Sequence, residues 1–236
     1  MQKEIKTNDS FTYRFMNVFL KPSAAFQSIK AKMTWKQTII PIIILILVSM
    51  IGYKLMLPVT VVEAEKRITK VERLTNEQKT EQIQKTEKRM NGPIPYIGIV
   101  VSQPIIIIVI GAIFLFFGNI IGGGKTEILK MIGVALYVQM LDIVASIIKI
   151  PLILSQRTVD VQTSLALLFP EVDKSNVFYN IAAQFDIFTI WKIILWIIAF
   201  EIIYKYSAKK SSYLVIPIWV IIAAVSVFFL SMNFGG

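Results

Sequence analysis

The chain has 236 residues, 55% of them hydrophobic and only 17% charged, with a net charge of +10 and a mean hydropathy of +0.65. A soluble fold of this size cannot bury so much apolar surface, so the composition excludes a soluble globular protein and points to lipid as the solvent. Cysteine and histidine are both missing, which excludes disulfides, thiolate metal sites, cysteine nucleophiles and the commonest proton shuttle.

Residues 1–36 form a basic segment rather than a cleavable signal, because a signal needs a short basic head followed at once by an apolar run. Pro22 follows Lys21 where a helix can begin, and Phe26, Ile29 and Met33 recur at helical spacing among Lys30, Lys32 and Lys36. That pattern predicts an interfacial amphipathic helix on anionic headgroups, the plain alternative being a linker that snorkels its lysines. The first uncharged run, Gln37 to Tyr53, opens a span expected at about residues 37–57, with Trp35 and Tyr53 suited to the two interfaces. Beyond Leu57 the composition flips. Counting Lys54, the first loop carries nine Lys or Arg and six Glu. Val61, Ala64, Ile68 and Val71 then fall at the three-to-four spacing of an amphipathic helix. A break follows at 74–77, where Thr75 and Gln78 suit a capping box for a second helix towards Met90.

Met90 to Gly124 is uncharged as well and holds the second span, about 95–121, with Pro104 expected to kink it. The Gly-Gly-Gly-Lys-Thr run at 122–126 invites comparison with a phosphate-binding loop. Asn119 stands where that loop requires glycine, and a membrane helix rather than a strand precedes it, so a glycine turn between packed helices is the better reading. The third span, about 127–154, contains Asp142 and Lys149. After it, Leu165 to Phe169 offers a short apolar patch before Pro170. The fourth span, about 186–206, carries Lys192, Glu201, Trp191 and Trp196, and the fifth, about 213–232, lies in the uncharged run Ser211 to Gly236 with Pro217 in its first turns. The expected fold is all-α: a polytopic transmembrane helical bundle of five spans, residues 37–236, with an amphipathic helical first loop at 58–93 and an interfacial N-terminal helix.

Charge alone sets the orientation weakly. A cytoplasmic N-terminus puts twelve Lys or Arg inside and eleven outside, and the concentration of charge beside the first span favours that arrangement, with the C-terminus outside. The strongest candidate site is intramembrane. An ionised carboxylate at mid-span costs about 2.5–3.5 kcal/mol on insertion scales, so Asp142 needs protein or water beside it. Lys149 lies about 10 Å farther along the same helix, out of direct reach. Antiparallel neighbours would bring Asp186 and Lys192 near the level of Lys149, giving a polar cluster of Asp142, Lys149, Asp186 and Lys192. Such a cluster either conducts ions or protons, or clamps the helices in order. No group has catalytic, cofactor-binding or metal-ligating spacing, so neither an enzyme nor a cofactor is expected. No nucleic-acid motif accompanies the positive charge. The partners expected are anionic lipid headgroups and other membrane proteins, and a homo-oligomer is compatible with the sequence.

The order of several short segments resembles the Yip family of five-span, Ypt/Rab-interacting membrane proteins, in particular its prokaryotic branch. The resemblance runs from about Phe15 to Phe228. It begins with Phe-Leu-Lys-Pro-Ser-Ala-Ala-Phe at 19–26, including Pro22 and Phe26, followed by Trp35. It continues through 122–125 to Tyr137 and then Ser-Leu-Ala at 164–166, and is clearest in Phe-Asp-Ile-Phe-Thr-Ile-Trp at 185–191, including Asp186, Phe188 and Trp191. The Asp-Leu-Tyr-Gly-Pro segment of the eukaryotic branch is missing, so that branch's trafficking and GTPase contacts are not carried over. The resemblance implies five helices, a cytoplasmic N-terminus in a prokaryotic cytoplasmic membrane, and no catalytic site. The functional expectation is a non-enzymatic protein that organises its membrane or scaffolds partners, the alternative being a small transporter or an accessory subunit of one.

Overall fold

The computed structural model describes residues 9–159, 161, 163–169, 171–172 and 176–234, with side chains as far as residue 228. Pro170, Lys174 and the terminal Gly235 and Gly236 therefore lie outside the described residues. Ten α-helices occur among those described: α1 Phe11–Leu20, α2 Pro22–Ala31, α3 Lys36–Thr69, α4 Asn76–Asn91, α5 Ile94–Phe116, α6 Ile128–Gln139, α7 Leu141–Gln156, α8 Val177–Gln184, α9 Ile187–Tyr204 and α10 Ala208–Phe234. Among the described residues, five stretches are long and apolar enough to cross a membrane: Lys36–Thr69, Ile94–Ile121, Ile128–Gln156, Ile187–Tyr204 and Ala208–Phe228. The fold is thus all-α and polytopic, as the apolar runs predict.

Two compact units make up the chain: residues 1–41, 106–142 and 162–236 form one, and 42–105 with 143–161 the other. In the first unit, α1 and α2 form a helical hairpin packed against α6 and α9. Ser10 caps α1 by accepting the Tyr13 N–H, and Pro22 occupies the first turn of α2, where its missing N–H costs nothing. Val18, Ala25, Phe26 and Ile29 are fully buried and Met33 nearly so. The apolar stripe expected to lie on lipid is therefore turned onto protein, because a complementary surface of α6 and α9 excludes solvent from it more completely than an interface can.

Where α5 ends, the ladder widens into a π-helical turn, Phe117–Ile121, with the Gly122 N–H bonded to the Phe117 carbonyl. Gly123 takes a positive φ of 70°. Asn119 closes the turn, its side chain bonding both the N–H and the carbonyl of Thr126 at 3.2 and 3.0 Å. The Tyr204 ring lies so close to Gly118 and Gly124 that a Cβ at either position would overlap it. Tyr206 donates to the Gly118 carbonyl at 2.9 Å and stacks on Tyr204 with centroids 5.2 Å apart. Gly118, Gly122 and Gly124 thus allow the close approach of two rings, while Gly123 supplies the positive φ of the turn.

In the second unit, α3 does not stop at Pro58 but continues to Thr69, about 51 Å in all, since leaving a membrane does not by itself end a helix. Gln103 donates to Ser49 at 3.2 Å, Tyr53 to the Met90 carbonyl at 2.8 Å, and Tyr53 meets Tyr96 edge to face. Thr75 and Gln78 cap α4 reciprocally, the capping box that their spacing predicts.

Candidate functional site

Met140 interrupts the third span. Its N–H reaches back to the Tyr137 and Val138 carbonyls, a tightened turn that separates α6 from α7. Residues 131–138 of α6 are buried without exception, so this half of the span is wrapped in protein. Asp142 falls in the first turn of α7, where the exposed N–H groups of a helix start favour a carboxylate. Lys192 enters from α9, and its Nζ lies 2.6 Å from Asp142 Oδ1, with 25% and 47% of the lysine and aspartate side chains exposed. Opposite charges at hydrogen-bond distance offset part of the cost of placing either one within a membrane span.

Beside this pair lies a cavity of about 120 Å³, whose mainly apolar wall, with Phe114, Trp196 and Trp219 among it, also includes Lys192, Gln139 and Thr189. Phe114 stacks on Trp196 with centroids 3.6 Å apart. The polar groups and the volume suit a few waters or one small ion. A broken helix, an ion pair at the break and a mainly apolar cavity with three polar side chains next to it make up the arrangement's chemical capability: it can hold charge, and it can equally fix α9 against Asp142 at the helix break.

Of the four charged residues considered from the sequence, the structure brings Asp142 and Lys192 together. Asp186 sits six residues before Lys192, about 9 Å along the axis, as the N-cap of α9. Its Oδ1 accepts the Phe188 N–H at 2.8 Å and its Oδ2 accepts the Thr163 hydroxyl, while Ser164 bridges to it as an isolated β-pair. Its visible work is to tie the connecting loop to the start of α9. Lys149 lies on α7 within the second unit. Among the residues carrying the family resemblance, Phe26, Tyr137 and Phe188 are buried, Pro22 starts α2, and Trp35 and Trp191 face outward.

Two features escaped the sequence. Arg14 is fully buried in the hairpin, its Nε donating to Ser28 Oγ at 2.9 Å and its two terminal nitrogens to Met33 Sδ and to the Ser28 and Lys32 carbonyls at 3.1, 3.2 and 2.5 Å. The Ser28 carbonyl also accepts the Lys32 N–H, so the guanidinium adds a second bond there and meets the Lys32 carbonyl, which lies past the last turn of α2. The signal was available, since Arg14 falls between Phe11, Phe15 and Val18 on the inner stripe of α1. Lys30 is the second: its Nζ sits 2.5 Å from the Ile202 carbonyl near the end of α9. Burial, with Lys205 and Lys130 nearby, holds its ammonium below the usual lysine range.

A family model described as the Yip1 domain matches residues 16–230, nearly the whole chain. No curated protein and no solved structure matches it.

Proposed function

Because the chain belongs to the Yip1-domain family of membrane proteins, we propose that it is a non-enzymatic organiser of its membrane, or of partner proteins within it, acting through the α1–α2 hairpin. The observation that carries this reading is the two-faced character of the docked hairpin. Its inner face is locked by Arg14 and fully buried apolar side chains, while Met16, Leu20 and the following Trp35 are 49%, 70% and 59% exposed. Lys21, Lys32 and Lys36 are exposed among them. Apolar side chains ringed by lysines on a surface helix suit shallow insertion at the level of anionic headgroups. A hairpin fixed to the membrane helices would transmit that insertion to the bilayer as a wedge.

The test is reconstitution into vesicles of phosphatidylglycerol and phosphatidylcholine, with vesicle shape followed by electron microscopy. The native protein is expected to narrow or tubulate the vesicles with increasing protein density, and Leu20→Glu together with Met16→Glu to abolish the effect while leaving thermal unfolding unchanged. Identical vesicle shapes for the two proteins would refute the wedge, and photocrosslinking from position 20 to a membrane protein instead of lipid would move the reading to scaffolding.

A second reading, transport, is favoured by the Asp142–Lys192 pair at the helix break. In proteoliposomes loaded with a pH-sensitive dye, an organiser is expected to give no proton flux above empty liposomes. Asp142→Asn should then lower stability by about 1 kcal/mol, a modest loss because the pair is partly exposed. Proton flux that disappears in Asp142→Asn while the fold persists would establish transport.

A further inference from the structure

A groove in the second unit has the polarity of a lipid. It encloses about 500 Å³ and is lined by Pro58, Val59, Val62 and Lys66 of α3, by Leu154 of α7, and by Arg157 just beyond it, a size within the roughly 300–1,000 Å³ of small-molecule sites. The four α3 residues form one stripe, on which Lys66 stands about 12 Å beyond Pro58. Apolar side chains therefore occupy one end of the groove and both cations the other. Depth in the membrane agrees with this order. From the entry of α3 at Lys36, about 20 residues traverse the hydrocarbon core, which leaves Pro58 and Val59 near its far boundary and the Lys66 backbone on its aqueous side, from where the long side chain can reach back to the headgroups. The first and third spans cross in the same direction, so Arg157 emerges on the same side.

The cationic end is held in place. Glu63 accepts the Thr158 hydroxyl at 2.7 Å and the Val159 N–H at 3.0 Å, which pins the residues after Arg157 against α3. Arg157 itself takes a left-handed conformation, φ 53°, unusual for a non-glycine residue and sustained by those bonds. Arg67 lies 3.9 Å from Glu63 and answers its charge. Among the described residues no carboxylate is paired with Lys66 or Arg157, and none lines the groove.

We propose that this groove binds one anionic phospholipid, with an acyl chain along Pro58, Val59, Val62 and Leu154 and the phosphate between Lys66 and Arg157. Guanidinium and ammonium donors recognise phosphate oxygens strongly where water is scarce, and the bilayer presents this ligand at the groove's own depth. The site goes beyond the hairpin reading and stands apart from it, since it involves none of the hairpin's residues.

Native mass spectrometry of the full chain, released from neutral detergent after incubation with phosphatidylglycerol or phosphatidylcholine, tests the assignment. Retention of one phosphatidylglycerol is expected, at least tenfold above phosphatidylcholine. Lys66→Gln with Arg157→Gln should reduce retention about tenfold, and Val62→Trp, which fills the apolar part, should displace the lipid with both cations intact. Lys85→Gln with Lys88→Gln on α4 should leave retention unchanged. The lipid-free variants are expected to unfold at the temperature of the native chain, so that a lost lipid reports the site. Equal retention of the two lipids, or native retention by either groove variant, overturns the proposal.

Discussion

Gly118→Ala is expected to destabilise the protein by about 3 kcal/mol, the upper part of the range for overpacking a filled site. The added methyl overlaps the Tyr204 ring, and neither partner can yield cheaply. On one side, the Gly118 carbonyl accepts bonds from the Gly124 N–H at 3.0 Å and the Tyr206 hydroxyl at 2.9 Å, which holds the backbone. On the other, Tyr204 is stacked on Tyr206 and packed against Phe200 at a centroid distance of 5.1 Å, so swinging away sacrifices both contacts. Unfolding in detergent, followed by heat or denaturant, measures the loss. Combining Gly118→Ala with Tyr204→Leu should cost less than the sum of the two single changes, since the smaller side chain removes the obstacle. Tyr204→Phe should be close to neutral, because the buried hydroxyl has no hydrogen-bond partner among the described residues. Strict additivity in the double variant would show that the ring is not what the glycine accommodates.

Arg14→Ala should release the hairpin, at a cost of about 3–5 kcal/mol. The change removes every donor that reaches Ser28 Oγ, Met33 Sδ and the Ser28 and Lys32 carbonyls from this residue, and leaves a cavity the size of a guanidinium. Arg14→Met restores much of the volume but none of the donors, so it should recover only part of the loss; full recovery would mean that packing, not hydrogen bonding, holds α1 to α2. Because the native chain has no cysteine, Ala25→Cys supplies a single thiol at a fully buried position. That thiol should be protected from a membrane-impermeant maleimide in the Arg14 background and labelled rapidly once Arg14 is replaced.

The spans were legible because the bilayer imposes a length and an uncharged composition on any helix that crosses it. Where the structure departs from the simple pattern, another force takes over. The change of composition beyond Leu57 ends the first span, yet at the depth where α3 leaves the hydrocarbon the amphipathic run after it is competent to remain helical, and α3 goes on to Thr69. The break at Met140 carries no glycine or proline to announce it; it depends on how the carbonyls of Tyr137 and Val138 are met within the buried α6. The need of Asp142 for a partner could be read from its position, but that Lys192 supplies it and Asp186 serves as a helix cap depends on the rotation of α9, which one sequence does not encode locally. Tyr204 and Gly118 are 86 positions apart, a contact invisible to any window-based periodicity.

The docked hairpin also sets an order of events. Lys30 and the Ile202 carbonyl it meets are separated by 172 positions, and α9, against which α2 packs, is the last helix but one to be made. At a ribosomal rate of about 5–20 residues per second, α2 waits about 10–30 s after its own synthesis before that surface exists. During the interval α1 and, later, α6 can cover part of α2, but the surface that meets α9 has no protein partner, and the bilayer interface is the apolar shelter within reach. The lysine-flanked stripe that the sequence assigns to lipid is then the description of a nascent chain, and its transfer from lipid to protein is the step that completes assembly.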